Sequence, residues 1–380
     1  MMASEWRTAK LGELVSFKTG KLDSNAAVPN GDYPFFTCSQ DTLRTNTYSF
    51  DTECVLLGGN NANGIFPLKY FHGKFDAYQR TYIVKPRDSD QLTTKFLYYA
   101  LRPKLSELRS FSTGAATKFL TLTILNETAI EIPSIAEQRR IAGILSAYDE
   151  QIENNQRRIR ILEDMAHSLY REWFVHFRYP GHETVPLVDS PLGQIPQGWE
   201  VKKIAELLAK VSRQGKIKTQ DYLQAGELPV IDQGRELVGG YTNDADVEYS
   251  GELPVIVFGD HTRILKFIDF PFVCGADGTQ LLRSNDKRMP VSLFYYALSA
   301  IELSDFAYAR HFKFLKEELV VVPIAELATA FSERVDPIKR QVRILQQQSD
   351  NLRRTRDLLL PRLLSGGINI QVTNQEQCHV

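Results

Sequence analysis

The sequence predicts an α+β chain built as an internal repeat. Two globular domains alternate with two long helices paired as an antiparallel coiled coil, and a pseudo-two-fold axis relates the halves. Three observations predict this. Short motifs recur in the same order roughly 190–200 residues apart. Each half opens with about 130 residues of short apolar runs broken by turn residues. Each half closes with a long segment whose seam positions alternate in fours and threes.

Length and composition bound the reading first. At 380 residues the chain has room for two or three ordinary domains. With 43% hydrophobic and 24% charged residues it reads as globular, neither disordered nor fibrous. Its 45 lysines and arginines nearly cancel 46 acids, which excludes a histone-like basic blanket and confines any nucleic-acid face to local patches. Cys38, Cys54, Cys274 and Cys378 have no close-pair spacing, so neither a disulfide framework nor a Cys-rich zinc site is expected. The start lacks an apolar signal region and no apolar run approaches the roughly 18 residues of a membrane span. A cytoplasmic protein without membrane contact is expected.

The repeat opens at Trp6 and again at Trp199. Apolar positions follow (Leu11, Leu14 and Val15; Val201, Ile204 and Leu207), then basic stretches around Gly20 and Gly215. Tyr-Pro-Phe-Phe (33–36) answers Leu-Pro-Val-Ile (228–231), and Leu-Leu-Gly-Gly (56–59) answers Val-Phe-Gly-Asp (257–260). Phe-Leu-Tyr-Tyr-Ala-Leu (96–101) answers Leu-Phe-Tyr-Tyr-Ala-Leu (293–298), and Lys-Phe-Leu recurs at 118–120 and 313–315. Strands are expected at Glu53–Leu57, Thr81–Val84 and Pro254–Phe258, and tyrosine-rich helices near 94–108 and 290–303. The divisions follow: a first domain at 1–133, a first helix at 134–180, a linker and second domain at 181–323, a second helix at 324–367 and a tail at 368–380.

The first seam runs Ile141, Leu145, Tyr148, Ile152, Asn155, Ile159, Leu162, Ala166, Leu169 and Trp173. Pro180-Gly181 is expected to stop it, giving a rod of roughly 60 Å. The second runs Phe331, Val335, Ile338, Val342, Leu345, Ser349, Leu352, Arg356, Leu359 and Leu363, ending at Gly366-Gly367. Pro337 suits a first helical turn capped by Asp336, with a kink or short break before it. Asn155, Ser349 and Arg356 are polar seam positions of the kind that fix register. Tyr148, His167, Trp173, Phe174 and Phe177 suit ordinary buried core, while the crowding of aromatics at the end of the first rod suits a surface for partner helices. Paired antiparallel, the rods would carry two diverged heads about a dyad, a shape suited to a bipartite, asymmetric DNA site with an unread spacer.

Specific motifs sharpen this. Ile-Pro-Ser-Ile-Ala-Glu-Gln-Arg-Arg-Ile-Ala-Gly-Ile-Leu (132–145) opens the first helix and Leu-Leu-Leu-Pro-Arg-Leu-Leu-Ser-Gly-Gly (358–367) closes the second. Trp-Glu-Val-Lys-Lys-Ile (199–204) and the Ser-Thr-Gly to Lys-Phe-Leu element within 110–120 accompany them. With these motifs the chain resembles, over nearly its whole length, the specificity subunits of type I restriction-modification systems. It departs from their pattern at Pro323-Ile-Ala-Glu-Leu, where Leu327 replaces the usual Gln. The resemblance implies two target-recognition domains that read double-stranded DNA. It implies two methyltransferase subunits that methylate adenine and, where a restriction enzyme is assembled, two endonuclease-translocase subunits. It implies no cofactor in this chain; S-adenosylmethionine, ATP and magnesium belong to the partner subunits.

Phosphate contact calls for Lys, Arg and hydroxyl donors, and base reading for Arg, Lys, Asn and Gln on loops. In the first domain the candidates are Lys18, Lys21, the loop residues Asn60, Asn61 and Asn63, then Tyr78, Gln79, Arg80, Thr113, Thr117 and Lys118. In the second they are Arg213, Gln214, Lys216, His261, Thr262, Arg263, Thr279, Gln280, Arg310, His311 and Lys313. Lys21 with Lys216, and Lys118 with Lys313, recur at aligned positions; each taken singly is equally a solvated surface charge. No phosphate-cradling loop, S-adenosylmethionine loop, methyltransferase target-amine clamp, nucleophile elbow or His-Glu-x-x-His zinc motif occurs. His167 and His176 are too far apart along a helix to share a metal. Glu200-Val201-Lys202 with Asp189 mimics nuclease spacing, yet the repeat equivalent Arg7-Thr8-Ala9 has no acid. The alternative to a DNA reader is a two-headed coiled-coil adaptor that binds only proteins; salt-dependent binding to duplex DNA separates them.

Overall fold

The structure, a computed structural model, describes residues 6–62, 64–112, 117–275, 278–303 and 310–368. It divides into two compact units, Met1–Gln156 with Gln347–Val380, and Arg157–Gln346. The two long helices, Ile135–Tyr170 and Ala325–Leu364, each contribute one part to each unit.

Unit 1 contains β1 (Arg7–Lys10), β2 (Val15–Thr19), β3 (Tyr33–Phe36), β4 (Leu43–Thr45), β5 (Phe50–Gly58), β6 (Asn60–Asn61), β7 (Leu68–Ala77), β8 (Thr81–Pro86), β9 (Lys118–Phe119) and β10 (Ala129–Ile132). One sheet has the order β2-β8-β5-β7-β3-β4, while β1 pairs with β10 and β6 with β9. The expected strands Glu53–Leu57 and Thr81–Val84 lie inside β5 and β8. The apolar run of β5 is continuous because both faces of the sheet are covered. Val55 and Leu57 join Val84, Phe96 and Leu97 in one cluster, and Cys54 and Leu56 join Phe36, Phe75 and Ile83 in the other. The split follows the two-residue period of a strand. Each such side chain contributes roughly 1.5–3 kcal/mol through burial.

The tyrosine-rich segment forms two helices, Thr94–Leu101 and Leu105–Phe111, where one helix to 108 was expected. Pro103 lies between them and has no N–H to continue the ladder. Thr93 caps the first with its side chain, accepting from Phe96 N at 3.3 Å. Ile141, Leu145, Leu360 and Leu363 pack into the same core as Phe96 and Leu97, so the helix pair is part of the unit 1 interior. The pair runs antiparallel: Asp149 meets Arg356, and the residues toward 141 share their core with those toward 363.

Unit 2 repeats this plan with β11 (Leu187–Ser190), β12 (Gly193–Pro196), β13 (Glu200–Lys203), β14 (Leu228–Ile231), β15 (Gly240–Thr242), β16 (Val255–Gly259), β17 (Leu265–Ile268), β18 (Val273–Cys274), β19 (Thr279–Leu282) and β20 (Leu319–Val322). Its sheets have the orders β15-β14-β18 and β17-β16-β19, with β11–β12 and β13–β20 pairs. Residues 256 and 258 of β16 enter the cluster with the helix Val291–Ser299, and 255 and 257 enter the other. The aligned residues of β5 divide in the same way, so the repeat is structural as well as sequential. The helix stops at Ser299, short of the expected 303. In unit 2 the long helices again run antiparallel, with Phe174 on Phe331 at 5.1 Å between ring centroids and Glu163 facing Lys339.

Three expectations about the long helices are corrected. The first ends in a π-helical turn, Arg171–Val175, with Phe177 at φ 58°, before Pro180-Gly181 is reached. The second passes through Pro337 unbroken from Ala325. Phe331 and Val335 before the proline and Ile338 after it pack into one core, and that burial outweighs the lost hydrogen bond. Trp173 and Phe174 are not a partner surface: with Tyr170, Trp199 and Phe331 they fill the core of unit 2. The seam positions are otherwise buried (Ile141, Leu145, Ile152, Asn155, Ala166, Val342, Leu345, Ser349, Leu363) or half-buried (Tyr148, Ile159, Leu162, Leu169, Ile338, Leu352, Arg356, Leu359). Among the described residues no helix is long and apolar enough to cross a membrane.

Candidate nucleic-acid interface

In unit 1 three candidate segments meet at one end of the sheet. Tyr78–Thr81 is a tight turn closed by Thr81 N donating to Tyr78 O at 2.8 Å. The chain at Gly20–Leu22 crosses it, with Gln79 N donating to Leu22 O at 3.0 Å. A Cβ on Gly20 would overlap the Ala77 carbonyl, so only glycine allows this approach, which sets exposed Lys21 beside the turn. From the other side Gly59 N donates to Arg80 O at 2.7 Å. Asn60 and Asn61, expected in a loop, form β6 and pair with Phe119 and Lys118 of β9. The Arg80 guanidinium lies over the Phe119 ring, 5.4 Å from its centroid. Thr117 is half-buried next to Lys118. Lys18 is exposed on β2, an edge strand, and is not drawn into this cluster by any contact described. Asn63 and Thr113 lie outside the described residues.

Unit 2 builds the corresponding end around Asp260, which is 5% exposed. Asp260 N donates to Gly278 O at 2.7 Å, and its carbonyl and carboxylate accept from His311 N and Phe312 N, both at 2.8 Å. Gln233 fastens the neighbouring turn: its Oε1 accepts from His261 N at 3.1 Å and its carbonyl from Thr262 Oγ1 at 2.7 Å. Arg263, at φ 62°, donates to Leu303 O at 3.0 Å, and Arg213 donates to Gln280 Oε1 at 3.0 Å. Gln214 bonds Ser250. His261, Thr262, Lys216, Arg310 and Lys313 are exposed. Thr279 and His311 are not: both are buried by the turn that Asp260 organises, so they shape this end from within.

Sequence reading passed over Phe119, Arg109, Gln233 and Asp260. Phe119 was accessible, since Lys-Phe-Leu is a repeated motif. Arg109 sits on a helix flank and comes near Lys118 only through the backbone at Gly64, which both side chains approach. Of the nuclease-like group, Glu200 and Lys202 are engaged structurally, while Asp189 is exposed on β11. Arg288 donates to Glu200 at 3.0 and 2.8 Å and to Asp286 at 2.9 Å, and Lys202 donates to Asp286 at 2.9 Å. The hydrogen bonds from Arg288 and Lys202 hold the Glu200 carboxyl down to about 2. Among the described residues no group of three or more metal-ligating side chains is placed to hold a metal.

Residues 3–163 match the sequence family described as the type I restriction modification DNA specificity domain. The chain is 39% identical to the type I restriction enzyme EcoDI specificity subunit of Escherichia coli over 180 residues, 47% of this chain and 39% of that relative. This chain therefore spans well under half of that relative's length in the match. Similarity to the type I restriction enzyme MjaVIII specificity subunit of Methanocaldococcus jannaschii is 21% but extends over 97% of this chain and 94% of the relative. The crystal structure of the S subunit of a type I restriction-modification system from M. genitalium shares the fold, with a TM-score of 0.64, 19% identity and 97% coverage of both chains.

Proposed function

We propose that the chain, whose residues 3–163 match the type I restriction modification DNA specificity domain, reads a bipartite, asymmetric site in double-stranded DNA, one half with each unit. In this reading it also docks two methyltransferase subunits, which carry S-adenosylmethionine and methylate adenine. Restriction subunits that use ATP and magnesium join in a full restriction complex. The chain itself performs no chemistry.

One observation carries the reading: in unit 1 Lys21, Arg80 and Lys118 come together at one end of the sheet, and unit 2 presents the aligned lysines Lys216 and Lys313. In sequence Lys21 aligns with Lys216 and Lys118 with Lys313; Lys21, Lys216 and Lys313 are exposed and Lys118 is half-buried. Such groups neutralise phosphates and read base edges. The residues around them differ between the units, as an asymmetric site requires.

The test is co-expression with the methyltransferase subunit, followed by mapping of methylated adenines. A two-part motif with an unread spacer is expected. Exchanging residues 1–133 for those of another member should change one half of the motif only; a change in both halves refutes the assignment. Affinity of the complex for duplex should fall with salt at about −0.9 log units per log unit for each phosphate contacted. Binding that ignores salt and sequence would favour the protein adaptor.

A further inference from the structure

We propose that Arg80 reads a guanine edge in the half-site bound by unit 1, with Phe119 as the plate that orients its guanidinium. The inference rests on the DNA-reading role above and names the residue that supplies one position of its specificity.

The backbone at Arg80 is pinned from several directions. Its carbonyl accepts from Gly59 N at 2.7 Å and from Cys38 Sγ at 3.4 Å, and its turn is closed by Thr81 N on Tyr78 O. Gly59 makes room for this: a Cβ there would sit 2.6 Å from Arg80 O and 2.8 Å from the Tyr82 ring. Phe119 is fixed in turn by its pairing with Asn60, while Leu120 N donates to Gly59 O at 2.9 Å and Tyr82 Oη to Leu120 O at 2.8 Å. Arg80 is exposed, and its guanidinium has no hydrogen bond or ion pair among the described residues. A planar fork held over a ring, with its donors unspent, matches the paired O6 and N7 acceptors that guanine presents in the major groove.

Its neighbours do not fit this task as well. Lys21 and Lys118 are point charges suited to phosphate. Asn60 turns its Oδ1 inward, where it is buried without a hydrogen-bond partner among the described residues. Arg109 has no ring beneath it among the described contacts. In unit 2, Arg213 and Arg263 already spend donors on Gln280 and Leu303. A phosphate contact by Arg80 would need the charge but not the plate, and this separates the two roles.

The experiment uses the full chain assembled with its methyltransferase subunits and reads methylated adenines genome-wide for wild type, Arg80→Ala, Arg80→Lys and Phe119→Leu. Wild type should discriminate a G·C pair in the half-site that follows residues 1–133 in the domain exchange. Arg80→Ala and Arg80→Lys should each lose about 5- to 150-fold of that discrimination, at that position alone. Phe119→Leu, which keeps the charge and loosens the fork, should relax the same position less. An unchanged motif overturns the proposal, as does a uniform fall in methylation with the motif intact, which would make Arg80 a phosphate contact. If Arg80→Ala does not assemble, Arg80→Lys and Phe119→Leu decide the matter, and retention of the position by both refutes it. Absence of any two-part motif with wild type defeats the underlying DNA-reading assignment instead, and the inference falls with it.

Discussion

Thr93 donates its backbone N–H to Gln138 Oε1 at 2.9 Å, which joins the start of the tyrosine-rich helix of unit 1 to the start of the first long helix. The same amide donates through Nε2 to Gln91 O at 2.8 Å and Pro133 O at 3.0 Å, and Gln138 is fully buried. The second repeat dispenses with this joint. Pro290 stands where Thr93 stands, has no N–H, and so needs no acceptor. Leu327 sits near the opening of the second long helix and lies in the apolar core. The leucine at 327 thus accompanies a proline elsewhere in the same unit.

Gln138→Leu should therefore destabilise the protein by about 1–3 kcal/mol, since it leaves a buried N–H and two carbonyls unpaired. Adding Thr93→Pro removes the orphan donor and, with it, the side-chain cap on Phe96 N, so the double variant should recover less than the donor's full penalty. Urea denaturation of both variants checks this. Equal stability of Gln138→Leu and wild type would show that the joint contributes nothing.

Asp149 accepts from Arg356 and, at 2.7 Å, from Tyr99 Oη. It therefore ties the helix pair of unit 1 to its sheet-covering helix. Arg356 keeps a second carboxylate, Asp357, at 2.9 Å. Asp149→Ala is expected to cost about 1–3 kcal/mol, below the roughly 3–5 kcal/mol of a fully buried broken pair. Arg356→Met, which keeps the stem in the seam, should cost less than Asp149→Ala. The order of the two denaturation midpoints is the readout.

Lys339 lies over three rings of unit 2, 3.9 Å from the Tyr295 centroid, 4.8 Å from Tyr296 and 5.2 Å from Phe267. Burial holds its ammonium down to about 8, against the opposing pull of Glu163 and Asp269. In the unfolded chain the group titrates near 10.4. The folded state resists this proton, so the penalty is full below about pH 8 and is relieved as pH rises from about 8 to 10.4. Wild type should gain stability relative to Lys339→Met across that window, by an amount of the order of 2–3 kcal/mol. Parallel stability curves for the two proteins between pH 7.5 and 10.5, an interval set to bracket about 8 to 10.4, would contradict the assignment.

Gly20→Ala should force the Gly20–Leu22 crossing away from the Ala77 carbonyl and shift the Tyr78–Arg80 turn. Overpacking of this kind costs about 1–3 kcal/mol. Methylation should fall, and the half-site read by unit 1 should lose definition while the other half keeps its own. Thermal unfolding and methylation mapping of the one variant measure both effects. A fall in stability with both halves equally sharp would detach this turn from recognition.

The sequence by itself determined the repeat, the strand cores and the paired helices. Val55 with Leu57 and Ile256 with Phe258 alternate with the strand period, and the seam from Ile141 to Trp173 keeps the helix period. Burial of apolar surface enforces both patterns wherever they occur. It also marked the polar and basic segments, because Lys-Phe-Leu and the glycine-rich turns recur in both halves. Tertiary structure alone decided which of those side chains are free to act. His311 and Thr279 are buried behind Asp260, Arg263 and Arg213 each donate to a neighbour, and Arg80 lies over Phe119 with no hydrogen bond or ion pair among the described residues. Burial and hydrogen bonding between residues distant in the chain set that difference, and local spacing carries no record of either.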